Sequence, residues 1–272
     1  MINETFNGQR FWTYFKYDLT QMWRNHVKAA VGIGLAGLIV YFVVVLFNLT
    51  FNGTWQGPGI TGRFATFVLA SAALELYYTR IYGYLTDKRK GSAWLMLPAS
   101  TFEKWLSMLI MAAIVLPVLF LCASFLVDSI LCAVDPSLGQ SMLGVIGGGW
   151  KSMMEALTDV NSDYTLTLNV APLGWAMVLS LIGNLLYFLL CGICFKRNKI
   201  LGAFAIAFGL SILSSIIMSY FSFGFVTQLD VDDMNIAQSN INTFFWWMNA
   251  ITALFTVAMV GGIFWRLKTL KH

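Results

Sequence analysis

Six apolar stretches of about twenty residues or more, each nearly free of charge, recur along the chain and dictate its solvent. They run approximately over residues 29–49, 64–85, 105–134, 172–195, 200–226 and 244–265. A hydrocarbon layer about 30 Å thick takes about 20 helical residues to cross, and inside it every peptide group must be satisfied within a helix or a closed barrel. The stretches lack the short alternating pattern of barrel strands, so the expected fold is an all-α integral membrane protein with six transmembrane helices. Composition agrees: 58% of the 272 residues are hydrophobic and 11% charged, against roughly 45–50% and 25% for an ordinary soluble domain. A cleaved secretory leader is not expected, because the first apolar run begins only near Ala29.

Basic residues near span ends are retained on the cytoplasmic side, so their distribution predicts orientation. Arg10, Lys16, Arg24 and Lys28 precede the first span; Lys88, Arg89, Lys90 and Lys104 separate the second from the third. Lys196, Arg197 and Lys199 follow the fourth, and Arg266, Lys268 and Lys271 follow the sixth. The other connections hold Arg63 and Lys151 but carry Asp135, Glu155, Asp159, Asp163, Asp230, Asp232 and Asp233. Both termini are therefore expected in the cytoplasm, with residues 135–171 forming an external cap that includes one interfacial helix over Met142–Leu157. Trp55, Trp175, Trp246 and Trp247 fall at one membrane level; Trp94, Trp105 and Trp265 fall at the other.

The expected organisation is an amphipathic interfacial helix over residues 1–28 followed by a six-helix transmembrane domain over 29–272. Phe11, Trp12, Phe15, Leu19, Met22 and Trp23 recur at helical spacing, with Arg10, Thr13, Lys16, Thr20, Gln21 and Arg24 opposite. Such a helix either anchors passively in the lipid interface or docks a partner, and the pattern alone leaves both open.

The connection Thr86 to Lys104 carries the most information. A basic cluster at 88–90 precedes Gly91, Ser92 and an apolar patch containing Trp94, Leu95, Met96 and Leu97, which Pro98 terminates. Ser100 then stands three residues ahead of Glu103, the spacing of a capping box. The third helix is thus expected to start near Thr101, in the cytoplasm, and to enter the bilayer unbroken. An apolar patch joined rigidly to a transmembrane helix suits a lever; the alternative is that Trp94 and Leu95 dip into the lipid interface.

Glu75 lies in the middle of the second span, where an ionised group costs at least about 2.5–3.5 kcal/mol. It faces a translocation pathway or makes a polar link between helices, and Arg80 is placed to snorkel rather than to pair with it. Asp128, at the outer end of the third span, is expected to reach external water. Gly32, Gly34 and Gly37 match a dinucleotide-binding pattern in letters but sit inside a span with no preceding strand, so they read as helix-packing positions. Cys191 and Cys194 lack a redox frame; His26 and His272 have no carboxylate or cysteine cluster around them, so neither catalytic residues nor a metal site is expected. No phosphate-binding loop occurs, so ATP is not expected to bind this chain by that route.

An amphipathic helix, six spans with both ends inside, and a second connection bearing Gly91, Leu97, Pro98, Ala99, Ser100, Glu103 and Lys104 together resemble the type 2 ABC transporter permease family. The resemblance implies a multi-pass subunit of a bacterial cell (inner) membrane, without enzymatic activity of its own and with no nucleic acid as partner. The segment around Ser92 to Leu97 would be its coupling helix, with Gly91, Ser92, Trp94, Leu95, Leu97, Pro98, Ser100, Glu103 and Lys104 meeting or positioning a separate ABC ATPase subunit. The interfacial helix, through Phe11, Trp12, Phe15, Leu19 and Trp23, would rest on the same assembly. ATP and magnesium would be bound in the ATPase, a second permease copy or paired permease would complete the pathway, and the cargo would be a lipid, peptide or other amphipathic molecule. A proton- or ion-coupled carrier using Glu75, or a membrane scaffold or sensor, is the alternative expectation.

Overall fold

The computed structural model describes residues 6–86, 91–92, 94, 96–148, 171–226 and 234–269. Regular structure among them is helical throughout, with no strand. The first run joins α1 (Gly8–Met22), a π turn (Trp23–Val27), α2 (Lys28–Gly34) and α3 (Ala36–Asn52). Next come α4 (Ile60–Ile81) and a 3₁₀ turn (Gly83–Thr86). A second long run holds α5 (Thr101–Ile110), a π turn (Met111–Val115) and α6 (Leu116–Val134). The chain continues through α7 (Ala171–Cys194), α8 (Lys199–Val226) and α9 (Met234–Thr269). Of the expected interfacial helix in the cap, residues 142–148 are helical and the remainder lies outside the described residues.

Each expected span falls on helix. Four stretches, Gly8–Asn52, Thr101–Val134, Lys199–Ile216 and Phe245–Thr269, are long and apolar enough to cross a membrane. Their outward faces carry large apolar side chains such as Phe47, Leu201, Phe208, Leu254 and Val257, an arrangement that suits lipid and not water. These helices make the protein membrane-embedded. Arg63, Glu75 and Arg80 dilute the apolar character of α4, and Val178–Cys194 within α7 is apolar but shorter.

The core gathers around α7, which packs on both α4 and α9. Tyr78, Ile81, Met108, Met111, Leu186, Leu189, Ile193 and Ile263 are fully buried there. At the α4–α7 crossing Gly192 lies directly against backbone: a Cβ on it would stand 2.5 Å from the Thr79 carbonyl oxygen. Gly34 plays the same part where α2 crosses α6, since its Cβ would meet that of Ala123 at 2.8 Å. Close backbone approach is how helices associate when lipid removes the ordinary hydrophobic drive. Gly32 and Gly37 face open space, so of the three glycines in that span only Gly34 makes the packing contact expected from the sequence.

The π turn ahead of α6 follows from Pro117. Leu116 donates its amide to the Met111 carbonyl, and in that register the next donor, Pro117, has no N–H to give Ala112. Tyr78 supplies the missing hydrogen, its hydroxyl donating to the Ala112 carbonyl at 2.6 Å. Buried carbonyls must be satisfied, so the proline and the tyrosine are a matched pair. Farther along, the Tyr187 hydroxyl donates to the Ala203 carbonyl at 2.7 Å and ties α7 to α8.

Because nothing at the α4–α7 crossing can yield except backbone, Gly192→Ala is expected to destabilise the protein by about 1–3 kcal/mol. Gly37→Ala, with open space around the Cβ, is expected to be near neutral. Unfolding in detergent, followed by circular dichroism, measures both.

Candidate functional site

Two polar nodes hold the helices at opposite ends of α4. The first centres on Glu103, whose side chain is fully buried. Ser100 caps α5: its hydroxyl accepts from the Glu103 amide at 3.2 Å, and the Ser100 amide donates to Glu103 Oε2 at 2.9 Å. The capping box expected from the sequence is therefore present. The same carboxylate also reaches α1, accepting from the Asn7 amide at 3.0 Å and from both Nε and Nη2 of Arg10, at 2.8 Å and 2.7 Å. Burial opposes ionisation of Glu103, but the Arg10 guanidinium and the two amides prevail and hold its carboxyl at about 2.

Trp94 belongs to this node. The apolar patch leads to the expectation that it meets a partner or dips into the lipid interface, but it is only 6% exposed, with Nε1 donating to the Tyr14 hydroxyl at 3.1 Å. Lys104 donates to the Trp94 carbonyl at 3.0 Å and its ammonium lies 4.8 Å from the indole centroid. A buried ammonium needs such contacts, and burial pulls Lys104 down to about 8. Trp94 thus anchors the connection from inside. Among the described residues of the connection, those facing outward are Met96, at 82% exposure, and Pro98; Leu97 and Ser92 are half-buried and Gly91 is buried. Leu95 lies outside the described residues.

On α1 the buried line is Tyr14, Asp18 and Met22, flanked by half-buried Phe11, Phe15 and Leu19. Trp12 and Trp23 face outward. Asp18 Oδ2 accepts from the Ser107 hydroxyl at 2.7 Å and from the Tyr82 hydroxyl at 3.1 Å, and burial raises its carboxyl above the ordinary range. The helix is therefore more than a passive anchor: it is bonded to the start of α5 along its length. Its periodicity gave the half-buried face, but Asp18 and Arg10 could be paired only through contacts 89 and 93 residues away.

The second node was not anticipated. Arg63 and Asp128, counted respectively as a loop base and as a group open to water, form a buried ion pair with Nη1 to Oδ1 at 2.8 Å. Burial is offset by further bonds on both partners: Arg63 Nη2 donates to the Leu138 and Gln140 carbonyls, and Asp128 Oδ2 accepts from the Met142 amide, although Arg63 Nε is buried with no hydrogen-bond partner among the described residues. Alongside, the Tyr41 hydroxyl donates to Asp135 at 2.8 Å, so α3, α4, α6 and the start of the cap converge. The Ser137 and Tyr41 donors hold Asp135 below the ordinary carboxylate range.

Glu75 sits half-buried in α4 and makes no hydrogen bond or ion pair among the described residues. No group of His, Cys, Asp and Glu suited to a metal occurs among them, and Cys191 and Cys194 are free. Compared with models of known families, with curated proteins and with solved structures, the chain matches none.

Arg63→Met is expected to cost about 3–5 kcal/mol, because Asp128 is then buried without a counter-charge, while the double variant Arg63→Met/Asp128→Leu should recover most of the loss. Detergent unfolding of the three proteins measures this. Glu103 gives a pH signature: its folded carboxyl titrates near 2 against an ordinary 4.5, so its contribution is complete above about 4.5 and is lost as pH falls toward 2. Asp18 acts in the opposite sense, since a raised carboxyl gains by protonation. Hydrogen exchange of α1 is expected to accelerate below pH about 4 in the native protein, and Glu103→Gln should remove that part of the dependence.

Proposed function

We propose that this chain is the membrane subunit of an ATP-driven exporter, with six spans, both termini in the cytoplasm, and the 91–98 segment docking on a separate ATPase. The observation that carries the reading is how that segment is built. Trp94, Lys104, Ser100 and Glu103 weld it to α1 and α5 from inside, while Met96 and Pro98 project outward. A docking element must be exposed at its tip and rigid at its root, or a push on it dissipates in bending. The path from root to bilayer is also continuous, since α5 passes through its π turn into α6 without a break.

In this reading, ATP and magnesium are held by the ATPase, and closure of two ATPases presses on Met96 and Pro98. The welded unit transmits that movement to the spans. A second copy or a paired permease completes the pathway, in a bacterial inner membrane, for an amphipathic cargo such as a lipid or peptide. One observation favours a different mechanism: Glu75, half-buried and without a hydrogen-bond partner among the described residues, is what a proton-coupled carrier requires. Glu75→Gln would abolish transport in that case and leave it unchanged if the residue serves packing.

Tagged protein purified from its native membranes is expected to retain an ATPase, and Met96→Asp to reduce that retention at least tenfold with helical content unchanged. Trp94→Asp is the poorer probe, because it breaks the internal weld. Native protein that holds no ATPase even after cross-linking, or a Met96→Asp variant that holds it undiminished, would overturn the exporter reading.

A further inference from the structure

Between α1 and the end of α4 lies a cavity of about 540 Å³, within the size range of small-molecule sites. It is lined by groups of opposite charge. Asp18, 6% exposed, spends both of its hydrogen bonds on Oδ2, so Oδ1 has no hydrogen-bond partner among the described residues. A carboxylate oxygen on a cavity-lining side chain that has no protein partner can accept from a ligand, and an ammonium supplies both the donor and a compensating charge. Tyr17, Tyr84 and Trp94 line the same space, and aromatic rings beside a carboxylate favour a small organic cation.

Arg80 supplies the other pole. It borders the cavity, is exposed, and makes no hydrogen bond or ion pair among the described residues. A guanidinium offers a planar fork of donors matched to phosphate or carboxylate oxygens. His26 borders the cavity beside it, with Nδ1 engaged by the Tyr77 hydroxyl at 2.8 Å. A ligand with one charge of either sign would leave the opposite pole unanswered.

We propose that this cavity binds a zwitterionic group in which an ammonium is joined to a phosphate: the ammonium meets Asp18 and the aromatic rings, and the phosphate meets Arg80. The headgroup of phosphatidylethanolamine has this chemistry, and so does free phosphoethanolamine. The site is distinct from the exposed tip at Met96 and does not depend on an ATPase.

Native mass spectrometry of the full-length protein in neutral detergent tests the proposal with short-chain phosphatidylethanolamine, the matching phosphatidylglycerol and free phosphoethanolamine. The ethanolamine lipid is expected to bind at least tenfold more tightly than the glycerol lipid, which lacks the ammonium. Arg80→Gln, at an exposed position, should weaken it about tenfold without changing thermal stability. Asp18→Asn should erase the preference between the two lipids, with melting recorded alongside because its hydroxyl donors are buried. Free phosphoethanolamine binding as well as the lipid identifies a soluble zwitterion as occupant, and lipid binding alone identifies the bilayer as source; either supports the site. Equal affinity for the two lipids in the native protein, unchanged affinity in Arg80→Gln, or no binding of any probe overturns it.

Discussion

The arrangement at one end of this molecule depends on keeping the Glu103 carboxylate charged where water does not reach it. A buried ion is tolerated only when its lone pairs are filled, and here the donors come from three places: the cap of its own helix, the backbone ahead of α1, and the Arg10 guanidinium. Each donor fixes one element relative to the others. Remove the charge and the cap survives in part, but the reason for α1 to lie across the start of α5 is gone. The Tyr14–Trp94 and Asp18–Ser107 bonds form only because that docking has brought the helices together.

What could be read from the sequence was what is local. Span positions follow from hydropathy over about twenty residues, and each expected span is helical. The Ser100 and Glu103 capping box lies within four residues and was recognisable on sight. The sequence context excludes a dinucleotide loop at Gly32, Gly34 and Gly37, but it does not tell which of the three packs; only Gly34 does. The nodes were not readable. Arg63 and Asp128 look like a loop base and an end-of-span acid until α4 and α6 are side by side. Trp94 looks like an exposed anchor because indoles favour interfaces, yet a buried lysine ten residues on and a tyrosine on α1 draw it inward.

The two nodes differ in kind. Arg63 and Asp128 are sealed from water and bonded to the backbone that follows α6, which suits a fixed fastening. The Glu103 node has one exposed flank, since Arg10 is partly solvated, and borders a cavity through Asp18. Charge is thus locked at one end of the bundle and left adjustable at the other, where the 91–98 segment is attached.

The contact of Gly192 with Thr79 bears on how such a bundle deforms. Backbone pressed on backbone offers no side chain to change rotamer, so α4 and α7 cannot slide over one another in small steps; they travel as one beam. Bending must then be taken up by less encumbered neighbours. α8 is the freest of them: it is clasped near its beginning by the Tyr187 hydroxyl and bare along most of its described remainder. A stiff pair of helices beside a loosely held one yields to one side only, so this bundle presents one stiff wall and one compliant one.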